Sequence, residues 1–433
     1  MDIKNHLHHS IKISLSLLCT CFISYANANE LGLQALNDSE LSNVNGQALL
    51  SLSYLAPTDS MNKMQAENVG FYKLGMEADV ELNTNIKKLQ LGCGGINGIN
   101  GCDIDINNLS LSGMADTRTG RATSSAKITN PFIEFAIKNP NSAAEREVIG
   151  FRLSADQILG LMTMGTENSS EPNGINSLSG FLKIKDTTGR VTTDSRTGVT
   201  YNSLGVPITG RVTSTTGAIK ADFSTNDYSL NLGEGSGSLF IKGQDIYGRR
   251  MSDINLTGTA TVNNIALGGT IQAKAKWGFI TIPINDGQLS GRLNNLGVDV
   301  TVKENLGFIH KIPLNNPFSL SSQKQNVMWS NAEVAAQRGW WLAIEDSIDI
   351  GDVTPSQKVY VTDDVIKQVL PLISQHLDKD PIKCGALALS CIFGNIALND
   401  ITLQNSRVSM ELLDLQLKNQ DFAPNCYGNL RFC

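Results

Sequence analysis

Cysteine pairs carry the clearest chemistry in this chain. Eight cysteines occur, and the six beyond Cys19 and Cys21 stand as Cys93 with Cys102 in CGGINGINGC, Cys384 with Cys391 in CGALALSC, and Cys426 with Cys433 in CYGNLRFC. Such pairs are either disulfides or thiolate ligands for a metal. Zinc sites usually leave two to four residues between paired ligands, whereas these pairs leave eight, six and six. Histidine offers little help, because His310 and His376 are the only two beyond residue 28 and lie far apart. Local disulfides formed in an oxidising compartment are therefore the expectation. Closing loops this short removes roughly 2–3 kcal/mol of unfolded-state entropy and pins the Gly-rich turn at 92–101.

Other constellations are weaker. Asp103 and Asp105 with Asn107 and Asn108, and separately Asp346, Asp349 and Asp352, supply oxygen ligands that calcium could use. Strand alternation instead predicts Asp103 and Asp105 on a solvated outer face. Gly94, Gly95 and Gly98 sit inside a cysteine loop rather than between a strand and a helix, so they do not form a phosphate cradle. No nucleophile elbow, Walker loop or dinucleotide fingerprint occurs. We assign no catalytic, cofactor-binding or metal-ligating residue, and expect a non-enzymatic protein without a cofactor. Trp340 and Trp341 are adjacent, so on a strand they face opposite ways. Either both reach core, or one packs inside while the other covers an edge or meets a partner. They are the candidate partner contact.

The chemistry needs an export route and a scaffold. Lys4 and Lys12, an apolar run from Ile11 to Ile23, and Ala26-Asn27-Ala28 describe a secretory signal spanning 1–28. The run is too short to span a bilayer. Leu18-Cys19-Thr20-Cys21 lacks the small residues of a lipid-attachment site. Losing Lys4, Lys12 and Asp2 with the signal moves the net charge from −6 to −7. A mildly acidic chain with scattered charge is not built for nucleic acid.

Period-two patterns predict a mainly β fold of extended or curved antiparallel sheets, stapled by local disulfides and covered by two short helices. Met76–Leu82, Cys102–Asn107, Phe132–Ile137, Phe181–Lys185, Gly210–Thr213 and Ile280–Ile284 read as strands. One helix is expected from a capping box at Ser154–Gln157, followed by Ile158, Leu159, Leu161 and Met162. A second follows Thr362-Asp363-Asp364, with Val365, Ile366, Val369, Leu370 and Ile373 on one face and Pro371 kinking it. Residues 166–180 read as a polar linker. CDIDINNLSLSG and CIFGNIALNDITLQ echo one another without a fixed period, which suggests related edges near the two ends. The expected segments are an arm at 29–60, a β-rich domain at 61–165, a Thr/Ser/Gly-rich β region at 166–325 and a C-terminal β-rich domain at 326–433.

The stretch from Leu36 to Ala48, LNDSELSNVNGQA, can form a capped helical turn ending at Gly46. Together with Gly70–Gly113 it resembles a group of exported gammaproteobacterial proteins carrying an L-x-D-x-E-L-S-x-V-x-G-Q segment, some associated with a Fil-type pilus or fimbrial system. The resemblance covers about a fifth of the chain and implies envelope or pilus-system proteins as partners. It makes a non-catalytic accessory or structural component, in the periplasm, outer membrane or cell surface, the leading expectation. The alternative is a carrier of a lipid or other apolar ligand, held in a groove between curved sheets.

Overall fold

The computed structural model describes residues 49–94, 101–167, 169–385, 391, 395–403, 406–413, 415, 417 and 420–429. Alternating apolar and polar residues put one side of each strand into a core, and three sheets result. In the first, hydrogen-bonded neighbours run Leu50–Leu55, Val69–Met76, Phe132–Lys138, Glu147–Ser154, Phe318–Gln323, Gly339–Ile348, Ile175–Ile184, Ile104–Ser112, Gln157–Thr163, Ala126–Thr129 and Asp79–Leu82. Thr84–Leu91, Gln244–Met251 and Lys311–Leu314 branch from this path. The fold is mainly β, and two disulfides, Cys93–Cys102 and Cys384–Cys391, join described residues. Cys433 lies outside the described residues, as do the expected signal and the Leu36–Ala48 segment.

The second sheet runs Thr187–Thr192, Ser236–Ile241, Asp253–Asn263, Leu296–Asn305 and Arg407–Leu413. The third runs Ile382–Lys383, Thr209–Thr213, Lys220–Leu232, Ile265–Trp277, Ile280–Asn294 and Asn395–Ala397. A single long hairpin links them. Val262 pairs with Leu296 in the second sheet, and Ile265 pairs with Leu293 in the third, without a change of register. Both arms bend between those pairs. Asn264 and Asn295 take φ of 62° and 57°, a region that asparagine tolerates better than most residues. The corners lock each other: Asn264 N donates to Asn294 Oδ1 at 2.9 Å, and Asn295 N donates to Asn263 Oδ1 at 2.8 Å. Four asparagines thus let one ladder serve two sheets.

Three helices occur among the described residues: α1 (Arg118–Thr123), α2 (Tyr201–Leu204) and α3 (Asp363–Lys379). The third is the expected helix, capped by Thr362, with Pro371 inside it and Val365, Ile366, Val369, Leu370 and Ile373 buried. It bridges the sandwich. Ser374 Oγ accepts from Thr209 N of the third sheet at 3.0 Å, and Gln368 Oε1 accepts from Ser409 N of the second at 2.8 Å.

The expected helix after Ser154 is a strand. Ser154 ends one strand, and Gln157–Thr163 pairs with Ile104–Ser112, Ala126–Thr129 and Lys311–Leu314. Ile158, Leu161 and Met162 are all buried. An apolar run with partners on both edges and packing on both faces mimics helical spacing. The polar linker is shorter than expected, because Ile175–Gly180 already belongs to a buried strand. The expected segments at 61–165, 166–325 and 326–433 do not separate, since the first sheet draws strands from all three and Leu49–Cys433 forms one compact unit. Residues 50–55 of the expected arm are a strand of that sheet. The two cysteine-led echoes also part company: Ile104–Ser112 lies inside the first sheet, whereas Asn395–Ala397 is a short parallel strand at the rim of the third.

The corner geometry predicts that Asn264→Val costs about 1–2 kcal/mol, because a β-branched side chain is strained at positive φ. Asn264→Gly should stay within about 0.5 kcal/mol of the parent. Urea midpoints of the two variants check both values.

Candidate assembly surface

In the first six strands of the first sheet, apolar residues lie on both faces. On one, Val69, Phe71, Ala136, Trp341 and Ala343 are buried under Val327, Trp329, Ala332 and Ala336 of the 324–338 segment. A buried ion pair fixes this cover. Arg152 Nη2 lies 2.5 Å from Glu134 Oε2 and donates to Ser330 O at 3.0 Å, while Ser330 Oγ donates to Glu134 Oε1 at 2.8 Å. The pair ties strand to cover, while Arg152 Nε stays buried without a hydrogen-bond partner among the described residues.

Among the described residues the other face is open. Cross-strand pairing lines up Leu52, Leu74, Ile133 and Leu153, and beside them Tyr54, Tyr72, Phe135 and Phe151. Leu52 is 74 % exposed, Leu74 45 % and Phe135 37 %, which makes a contiguous rather than scattered apolar surface. Aromatic contacts run along it: Tyr54 stacks on Tyr72 with ring centroids 4.3 Å apart, and Phe151 meets Trp340 edge-on at 5.7 Å. Gly70 leaves the room that Tyr54 needs, since a Cβ there would sit 2.9 Å from its ring.

Trp340 and Trp341 therefore divide between the faces. Trp341 is buried beneath the 324–338 cover, and half-buried Trp340 closes the inner end of the open aromatic row. Trp340 is held there by its backbone, whose N donates to Asp103 Oδ2 at 3.0 Å.

Asp103 is not on a solvated face. It is 1 % exposed and pairs with Arg250 Nε at 3.3 Å. The strand begins at Ile104, so Asp103 belongs to the preceding turn and escapes the alternation. Gly92 and Gly339, at φ of 64° and 104°, come so close to its carboxylate that a side chain on either would collide with it. Asp103 thus joins the Cys93–Cys102 corner to the start of the tryptophan strand. Asp105 is half-buried against Lys88 at 2.5 Å, with Gln90 and Asn176 also donating to it.

Two buried polar groups escaped the sequence reading. His310 is 3 % exposed, with Nδ1 3.0 Å from Met164 O. Burial pushes its pKa below the ordinary histidine value, against the smaller upward effects of Met164 O and Asp421. Arg121 of α1 is fully buried and donates to the hydroxyls of Ser110, Ser112 and Thr163 and to Ala423 O. Desolvation lowers its pKa to about 10, so it remains a cation at neutral pH. A sequence signal existed in the Ser110-Leu111-Ser112 alternation, which places two hydroxyls on one side of a strand. Among the described residues, no three His, Cys, Asp or Glu side chains converge as metal ligands.

A separate apolar cavity lies between the second and third sheets beneath α3. It offers about 60 Å³ to the centres of water molecules and is lined by Leu230, Leu239, Val262, Leu293, Val298 and Leu370 among others.

No protein-family model, curated protein or solved structure matches this chain.

Because His310 is buried in its neutral form, its folded pKa lies below the unfolded value of about 6.5. Its stabilising contribution is complete above that value and is lost as pH falls from there toward the folded pKa. Denaturant melts between pH 7.5 and 5.5 should show stability falling on acidification, with a shallower fall in His310→Gln.

Proposed function

We propose that this protein is a non-catalytic exported component of the cell envelope or surface, with an accessory or structural role in a pilus, fimbrial or adhesion system. One observation carries the reading: an apolar sheet face that runs uninterrupted to an uncharged edge strand. Among the described residues Leu50–Leu55 pairs on one side only, and no charge or proline blunts it. Such an edge is a template for another strand. Two disulfides suit an oxidising exported environment, and no helix of the described residues is long and apolar enough to cross a membrane.

The partner that fits this edge is a second copy. Glu77 N donates to Leu49 O, so alternation turns the backbone groups of Leu50, Leu52 and Tyr54 toward the free side. The segment Leu49-Leu50-Ser51-Leu52-Ser53-Tyr54-Leu55 reads the same in polarity from either end. Antiparallel pairing centred on Leu52 sets Leu52 against its own copy, Leu50 against Tyr54 and Ser51 against Ser53. No like charges meet, and the open apolar face continues across the junction.

The cavity beneath α3 favours a second reading, a carrier of a small apolar ligand. Native mass spectrometry of protein purified from its own envelope separates the two, since a carrier retains an apolar adduct and an assembly component arrives empty.

The assembly reading predicts that Leu52→Lys and Leu52→Glu chains are each monomeric by sedimentation, while their mixture dimerises. A parent chain that stays monomeric at high concentration removes the self-pairing. Clean deletion of the gene should reduce surface fibres, attachment or biofilm, and restoring Phe135→Glu should not rescue them. Fibres and attachment unchanged by deletion would contradict the assembly role itself.

A further inference from the structure

The long hairpin of the third sheet ends in a feature that the assembly face does not use. Trp277 pairs with Ile280 across a two-residue turn, Gly278-Phe279, in which Gly278 takes a φ of 56°. A polar pair is the usual choice at such a tip. Here Phe279 is 109 % exposed, Ile280 55 % and Trp277 44 %.

Charge gathers beside it. Lys274 and Lys276 precede the tip on the same arm, and both are exposed. Lys276 lies across from Asp222, which pairs with Arg211 at 3.3 Å, and Lys220 and Lys383 flank Thr213 in the adjoining row. Five cations thus surround one carboxylate at this end of a chain whose net charge is −6. Among the described residues Lys220, Lys274, Lys276 and Lys383 form no ion pair.

We propose that Trp277–Ile280 is a membrane-docking tip that seats in the headgroup layer of an anionic bilayer, with Lys220, Lys274 and Lys276 against the lipid phosphates. A bilayer fits better than a protein partner for reasons of area. A stable protein interface needs about 800 Å² on each side, which a two-residue turn does not offer. Single aromatic residues suffice at a membrane interface, where an amphipathic ring has both solvents within reach. An apolar insertion with adjacent basic residues supplies the two signals that peripheral binding requires.

The test uses the full exported chain with vesicles of phosphatidylcholine alone or mixed with phosphatidylglycerol. The parent should co-sediment with the mixed vesicles and show a blue-shifted tryptophan emission that Trp277→Phe abolishes. Phe279→Asp should weaken partitioning about tenfold. Lys274→Glu and Lys276→Glu should each weaken it about fivefold on anionic vesicles, with little change on neutral ones. All four substitutions are at exposed positions, so unchanged far-UV circular dichroism and melting establish that the variants are folded. Absence of binding by the parent, or equal binding by folded Phe279→Asp, overturns the proposal.

Discussion

A sheet apolar on both faces needs two covers, and the described residues supply one. That constraint organises the first sheet. Phe71, Trp341 and Ala343 are sealed by the 324–338 segment, which the Glu134–Arg152–Ser330 network fastens to the strands beneath. The same strands turn Leu52, Leu74, Tyr72 and Phe135 the other way. A buried apolar side chain is worth about 1.5–3 kcal/mol relative to an exposed one. Leaving two such rows in water forgoes a substantial part of what these strands could contribute. Under the proposed assembly role, that stabilisation would be recovered when a partner covers the rows.

The remainder of the described chain manages its surfaces differently. The second and third sheets face one another, share one continuous hairpin and are closed by α3, so their apolar residues meet inside a common core. The paired asparagine corners make this possible by bending two hydrogen-bonded arms together. Buried polar side chains then act as joints. Asp103 locks the Cys93–Cys102 corner to the tryptophan strand, and Arg121 gathers hydroxyls from two strands of the first sheet. These groups have partners inside the fold and position the elements they join.

Much of this was legible in the sequence. Alternation located several strands, Phe132–Lys138 and Thr209–Thr213 among them, and spacing found the Cys93–Cys102 and Cys384–Cys391 bridges. Thr362 and the apolar stripe behind it marked α3. The helix expected after Ser154 failed because Ile158, Leu161 and Met162 serve a strand packed on both sides, and local periodicity does not separate that case from a helix. Asp103 misled because alternation was extended one residue beyond the strand into a turn. The open face was written in the strands as consecutive apolar residues, as in Phe71-Tyr72 and Phe132-Ile133. Such runs announce two covered faces, but they do not say whether the second cover belongs to the same chain. Long-range placements, such as Arg250 against Asp103, have no local signature at all.

The central claim is that the face bearing Tyr54, Tyr72 and Phe135 is bare in the isolated chain and covered in the working envelope. Hydroxyl-radical footprinting measures this directly on those three side chains. The account predicts ready oxidation in dilute purified protein and strong protection in intact envelopes. Equal oxidation in both settings would contradict it.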